Sequence, residues 1–295
     1  VNIQIDDSDN SVFVLTEANN TSFLHKINSN GYLEWQKLIL CEHESPSDCS
    51  GFLSSRTLVI HDDYVYIPIR YNYSKTAVYV YDKYSSNFHE LIEFDCDLSG
   101  SPEAKSIKID SESNIIVGTR INNNDSYVLK YNQNENSCNS FGILDARMDE
   151  LDLINDQIVS LFGDHKIITL DSELMIDRVR EFKYVDYTVS SNIIYNMLVI
   201  DDGLLITLNN EYGSVVSEEA LFNSYDFDLN RLVSLSQDLS LNDTSINLLI
   251  PSSTYNFHIY DLYEFEGQIS LLFKVSGPFC FNDVIYDTGT YIIVL

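Results

Sequence analysis

The chain has 295 residues, with 45 Asp and Glu against 17 Lys and Arg, a formal net charge of −28. That charge repels phosphate backbones and anionic lipid, which argues against nucleic-acid binding and against docking on a membrane surface. A hydrophobic content of 44% excludes a disordered chain, 5 prolines and 11 glycines exclude a collagen-like or linker-like one, and no apolar run approaches a membrane span.

Tyr (20) and Phe (15), alongside abundant Ile, Val, Thr and Ser, favour strands. The first element pair is NIQIDDSDNSVFVL (2–15): an apolar-alternating run, an Asp/Asn-rich turn and a second β-branched run. This is the pattern of a β-hairpin. It returns at 58–69, 107–118, 151–162, 197–208, 239–250 and 283–295. The turn aspartates are Asp6, Asp62, Asp110, Asp156, Asp201, Asp243 and Asp287, spaced 42 to 56 residues apart. Second hairpins follow at 23–39, 77–94, 126–144 and 166–182, and the pattern blurs at 220–235 and 257–273.

Each unit therefore holds four strands in about 45 residues, the arithmetic of a β-propeller blade. One blade cannot bury both of its faces, and stacking neighbours does so. The predicted fold is all-β: a single propeller domain of about seven four-stranded blades, the last incomplete. The expected blades are 1–56, 57–104, 105–149, 150–192, 193–237, 238–281 and a partial 282–295.

The unit at 26–40, KINSNGYLEWQKLIL, carries the one tryptophan, Trp35. Asn28-Ser29-Asn30-Gly31 followed by Trp35 resembles the pyrroloquinoline-quinone-type propeller repeat, in which a D/N-x-x-G turn precedes a Trp-bearing outer strand. Lys26 to Trp35 also resembles the first part of the bacterial surface-protein propeller repeat. Asp110, Asn114, Val117 and Gly118 resemble its second part. The resemblance implies the fold and no activity. A quinone-dependent dehydrogenase would carry a tryptophan in most blades and a vicinal cysteine pair, and this chain has neither. No cofactor is expected, and Trp35 is expected to cover an outer blade edge or to pack against the neighbouring blade.

The seventh unit holds only residues for one hairpin. A longer chain, outer strands from another subunit and a two-stranded last blade all fit. An unpaired edge invites strand addition from another chain, so protein partners, including self-assembly through the last blade, are expected.

Cys41 and Cys49 flank a short polar loop, CEHESPSDC, a spacing that suits a loop-closing disulfide in an oxidising compartment. Cys96 with Cys138 is a second candidate pair, which leaves Cys280 over. No C-x-x-C, nucleophile elbow, phosphate loop or H-E-x-x-H occurs. His43, between Glu42 and Glu44 in the cysteine loop, reads as a solvated side chain. The turns IDDSDNS (5–11) and IDSESN (109–114) place oxygens at alternate positions, so Asp6, Asp110 and Glu112 are calcium candidates. Asp and Asn are also what hairpin turns require for local backbone bonding. Sequons lie at Asn19, Asn20, Asn72, Asn124 and Asn242. The first four fall in loops between second and third strands.

The expected function is a non-enzymatic extracellular or cell-surface propeller, a glycoprotein serving as a structural or protein-interaction module within a larger chain or assembly. The alternatives are a carbohydrate-binding or carbohydrate-active propeller and an intracellular scaffold.

Overall fold

The computed structural model describes residues 2–18, 21–39, 57–71, 75–96, 98, 102–121, 125–144, 146–163, 165–184, 194–200, 203–208, 215–217, 220–222, 229–251, 257–265, 268–275, 279–281, 284–286 and 289–294. Every regular element among them is a β-strand, and no helix is long and apolar enough to cross a membrane. The chain divides into two compact units, Val1–Leu151 and Asp152–Leu295.

The first unit is built from four-stranded antiparallel sheets in simple sequence order. The first sheet holds Asn2–Asp6, Ser11–Ala18, Thr21–Ile27 and Leu33–Ile39. The second holds Val59–His61, Tyr64–Tyr71, Lys75–Asp82 and Phe88–Phe94. The third holds Pro102–Ile109, Ile115–Ile121, Asp125–Asn132 and Ser137–Ile143.

Strand periodicity explains why the second sheet reads as a nearly continuous apolar run. Successive side chains point to opposite faces. Val65, Ile67, Ile69, Ala77, Tyr79 and Tyr81 pack with Phe13, Leu15 and Leu24 of the first sheet. The alternate set, Tyr66, Val78 and Val80, packs with Ala104, Ile107, Ile115, Val117 and Leu129 of the third. Both faces are buried, so neither phase can be polar. Gly118, on the second strand of the third sheet, permits one close approach. A Cβ there would lie 2.5 Å from Met148 Sδ and 2.6 Å from Ser106 Oγ.

The fourth sheet, whose first strand contains the division after Leu151, orders Met148–Ile154, Gln157–Phe162, Lys166–Leu170 and Ile176–Glu181. The fifth orders Ile194–Ile200, Gly203–Leu208, Leu229–Ser236 and Leu241–Pro251. They share a core in which Val159, Leu161, Ile167 and Phe182 meet Met197, Leu204, Ile206, Val233, Leu235 and Leu239. A three-stranded sheet follows, ordered Phe257–Phe265, Gln268–Val275 and Gly289–Val294. Two small sheets complete the described strands. Lys183–Tyr184 pairs with Val215–Ser217, which pairs in turn with Ala220–Phe222, and Phe279–Phe281 pairs with Val284–Tyr286.

The last part of the chain is cut differently from the expected boundaries. Asp243 lies inside the strand Leu241–Pro251, not at a turn. The stretch 239–250 therefore belongs to the outer strand of the fifth sheet, and 257–273 forms the first hairpin of the last sheet. Residues 284–286 and 289–294 do not pair with each other; the second of these strands pairs with Gln268–Val275.

The turn between the third and fourth strands is made by different residues from blade to blade. In the first sheet Gly31 occupies its left-handed position with φ 82°, as a D/N-x-x-G turn requires. In the fourth and fifth sheets Leu174 (φ 61°) and Leu239 (φ 63°) stand there. Their amides bond to the carbonyls of Asp171 and Ser236 as Gly31 does to Asn28. A leucine in this conformation costs about 1–2 kcal/mol. Burial offsets it, since Leu174 is 4% and Leu239 3% exposed. The Asn242-Asp243 pair inside the strand Leu241–Pro251 resembles a turn, so 239–250 resembled a hairpin of its own.

Candidate functional site

A group of charged side chains gathers where the first and second sheets meet. Asp6 ends the first strand. Its Oδ1 accepts bonds from Ser8 N (3.0 Å) and Ser8 Oγ (2.6 Å), which closes the turn. Its Oδ2 is 3.0 Å from Nζ of Lys83, at the turn between the third and fourth strands of the second sheet. Lys83 also donates to Ser8 Oγ at 3.2 Å. One turn further, Asp9 Oδ1 accepts from Ser11 N (2.8 Å), and Lys26 Nζ stands 3.2 Å from both Asp9 Oδ2 and Glu34 Oε2. The two ammonium groups each lie 5.3 Å from the Tyr84 ring centroid, and the Tyr84 hydroxyl donates to Asp63 Oδ1 at 3.2 Å.

Asp6, Lys26 and Lys83 are nearly fully buried, at 5%, 3% and 3% exposure. Burial pushes the Asp6 carboxyl up, but the Ser8 and Lys83 donors outweigh it and hold the group below the ordinary carboxylate range. Burial likewise depresses Lys26 and Lys83, and their carboxylate partners overcome it and raise both above an ordinary lysine. Both amines therefore stay protonated at neutral pH. Schiff-base and general-base chemistry need the free amine, so the arrangement is suited to holding two sheets together.

The third sheet repeats the device internally. Asp110 Oδ1 accepts from the amides of Glu112 (3.1 Å) and Asn114 (2.8 Å). Its Oδ2 takes Asn114 Nδ2 at 2.8 Å and lies 3.1 Å from Lys130 Nζ. Asp110 is held below its ordinary value: burial raises it, and the Asn114 and Lys130 donors more than reverse this. Glu112 Oε2 accepts from Asn114 Nδ2 at 3.4 Å. The oxygens of the calcium candidates Asp6, Asp110 and Glu112 thus face N–H, O–H and ammonium donors, whereas a Ca²⁺ site is a cage of oxygens. Among the described residues no group of three or more His, Cys, Asp or Glu is placed to hold a metal ion.

The turns between third and fourth strands follow the same local logic. Asn28, Asp82, Asn132 and Asp171 each accept two backbone amides of their own turn through Oδ1. In the fifth sheet Asp238 does so with Ser240 N and the Ser236 and Ser240 hydroxyls, bonds that hold its carboxyl well below the usual range. Local Asx bonding, the use that turns make of Asp and Asn, accounts for this acidic series.

A disulfide joins Cys96, just past the fourth strand of the second sheet, to Cys138 in the fourth strand of the third, with Cα atoms 5.3 Å apart. It is the second candidate pair of the sequence; Cys41 and Cys49 lie outside the described residues, as does His43. A recess of about 450 Å³ adjoins it, lined by Lys75, Glu93, Asp95, Tyr131, Asn136, Ser137 and Cys138. Lys75 stands 3.5 Å from both Glu93 and Asp95. A second recess, of about 380 Å³, lies in the second unit among Gln157, Asp177, Arg178, Ser236, Gln237 and Asp238.

Of the sequons, Asn19, Asn20, Asn72 and Asn124 lie outside the described residues. Asn242 is exposed on the outer strand of the fifth sheet, and its Nδ2 donates to Ser234 Oγ at 3.1 Å. Trp35 sits in the outer strand of the first sheet. Its ring packs edge-on against Phe13 at 5.7 Å, on the core shared with the second sheet. Sequence reasoning missed Lys26 and Lys83. A signal existed for Lys26: in SFLHKI it shares the inward phase with Leu24, and a lysine on a buried phase requires an acidic partner.

No protein-family model matches the sequence, and no curated protein sequence matches it. Solved structures do resemble the fold. A structure titled as the Dos1 propeller superposes with a TM-score of 0.56 at 10% identity, over 99% of this chain and 67% of that one. The chain is a β-propeller. Its last blade is incomplete among the described residues, with three strands where the five preceding blades have four. A structure from an analysis of two prolyl endopeptidases matches over 100% of this chain with a TM-score of 0.60 and 10% identity. This propeller spans only 39% of that chain. BamB from Moraxella catarrhalis matches at 0.47 and 10% identity, over 91% of this chain and 78% of that one.

Proposed function

We propose that this propeller is a non-enzymatic protein-interaction module of an oxidising, extracellular or cell-surface setting, and that its incomplete last blade is the place where a partner docks. The observation that carries the reading is the last sheet, which has three strands among the described residues where the preceding blades have four. Gly289–Val294 is the outermost described strand of its sheet, and Ile292 and Val294 are 58% and 56% exposed. Sheet edges of this kind pair with strands from other chains.

The Cys96–Cys138 disulfide supports the oxidising setting. The protonated buried lysines and the Asx-bonded acids support a structural use of the chain's charges. On this reading Asp6, Asp110 and Glu112 lock turns without calcium, and exposed Asn242 is the described sequon open to a glycan.

Cross-linking mass spectrometry on the protein in its natural source tests the proposal. Links to a partner are expected to start from residues 257–294. Links that start elsewhere would overturn the last blade as the docking place, and selective binding to a glycan array in the absence of protein contacts would replace the proposal with the carbohydrate reading.

A further inference from the structure

We infer that the Cys96–Cys138 bond is a thiol-exchange site: a small cationic aminothiol enters the recess beside it, attacks Cys138 Sγ and stays there as a mixed disulfide. Exchange at this bond is independent of partner docking at the last blade.

Position decides which sulfur is open. Exchange runs by attack of a thiolate on one sulfur of the bond, so access to each sulfur sets where and how fast it occurs. Both cysteines sit at the rim of the core that joins the second and third blades, and both are only partly buried. The Asn139 carbonyl oxygen stands beside the bond, 3.9 Å from Cys96 Sγ and 3.8 Å from Cys138 Sγ. The recess of about 450 Å³ is lined by Cys138 and, among the described residues, not by Cys96. A reagent held in the recess therefore meets the Cys138 end of the bond.

Charge selects the reagent. The charged side chains lining the recess are Lys75, Glu93 and Asp95, two carboxylates against one ammonium. The ammonium is 3.5 Å from each carboxylate, and the Asp95 and Glu93 charges hold Lys75 above an ordinary lysine. Tyr131 spends its hydroxyl on Asn136 Oδ1, at 2.6 Å. The recess is thus negative in sum, within a chain of net charge −28. A thiol that carries carboxylates is repelled from such a place, while the ammonium of an aminothiol is attracted.

The exchange is balanced in atoms and electrons. The aminothiolate sulfur bonds to Cys138 Sγ and the Sγ–Sγ bond breaks. Its electron pair leaves on Cys96 Sγ, which takes a proton from water. The incoming sulfur is oxidised and Cys96 is reduced. The covalent tie between the second and third blades opens, and their shared apolar core remains.

The test uses the whole folded chain, with cysteamine as the cationic thiol and mercaptoacetate as the anionic one. Each rate is taken per thiolate and relative to the same thiol's rate with the uncharged disulfide of β-mercaptoethanol, which removes intrinsic nucleophilicity. Acid quenching, alkylation of free thiols and peptide mass mapping read which cysteine carries the adduct. Fluorescence of the one tryptophan, Trp35, reads whether the fold is intact. Cysteamine is expected on Cys138, with Cys96 alkylated, before any change at Trp35. It should react at least about tenfold faster than mercaptoacetate at low salt, a ratio that falls several-fold in about 0.5 M salt. Glu93→Gln/Asp95→Asn should bring the two rates to within about threefold of each other. Equal rates with the unaltered chain, or an unchanged ratio in the double variant, would overturn the charge selection. An adduct on Cys96 in place of Cys138 would overturn the recess as the entry. No exchange until Trp35 reports unfolding would overturn the site altogether.

Discussion

The junction between the first and second blades is tied at its rim by ions, and the junction between the second and third by a covalent bond. Their cores are alike, because the second blade sends one phase of its strands to each neighbour. The difference lies in what the turns can reach. Lys83 crosses from the second blade to Asp6 of the first. In the third blade the corresponding carboxylate, Asp110, is satisfied by Lys130 of its own blade. What crosses there is a bond of 3.4 Å between Ser113 Oγ and His61 Nε2, and Cys96–Cys138 ties the outer strands as well. One repeat architecture thus supports two kinds of lateral tie, one sensitive to charge and the other to redox state.

The largest expected effect comes from breaking the ionic tie on one side. Lys83→Met leaves the Asp6 carboxylate buried without its ammonium, which should cost about 3–5 kcal/mol. Trp35, packed on Phe13 in that junction, reports it directly through the shift of its fluorescence midpoint in urea. Asp6→Leu/Lys83→Met, which removes both charges, should recover most of the loss. A double variant no better than the single one would mean that packing, not charge pairing, holds the junction.

The covalent tie comes next. It closes a loop with a sequence separation of 42, and its removal by Cys96→Ser/Cys138→Ser should cost about 2–4 kcal/mol. The loss should appear as faster hydrogen exchange in Asp125–Ile143, with a smaller shift at Trp35. Equal shifts at both places would show that the two junctions unfold as one cooperative block and would erase the contrast between them.

The blades of the first unit were legible in the sequence because their turns announce themselves. Asp6, Asp62 and Asp110 mark the first hairpins, and Asn28-x-x-Gly31 marks a second. In the second unit Leu239 stands where glycine would, and the turn-like Asn242-Asp243 pair inside the following strand moved the expected boundary after the fifth blade. The ionic tie was illegible for another reason. Asp6 and Lys83 are 77 positions apart in sequence, and only the packing of two blades brings them together. Leu239→Gly probes this part of the molecule. It relieves left-handed strain of about 1 kcal/mol and removes a buried leucine worth about 2–3 kcal/mol, for a net loss of about 1–2 kcal/mol. A stabilised variant would show that strain outweighs burial at this turn.

The smallest expected effect is a flat response to pH across the neutral range, and it separates the ionic tie from a histidine switch. Asp6 and Asp9 are held below the carboxylate value of 3.8, so their contribution is present above that pH and lost as pH falls through their folded values. Lys26 and Lys83 are held above 10.5, so theirs is present below 10.5 and lost as pH rises through their folded values. Between about pH 5 and 9 neither kind of group titrates. The stability difference between the wild-type chain and Asp6→Leu/Lys83→Met, which removes both partners, should therefore stay constant across that window when followed at Trp35 and shrink only in stronger acid or base. Taking the difference cancels the general self-repulsion of a chain of net charge −28, which relaxes on its own as the carboxylates protonate. A step in the difference centred near pH 6.5 would assign control of the junction to a histidine.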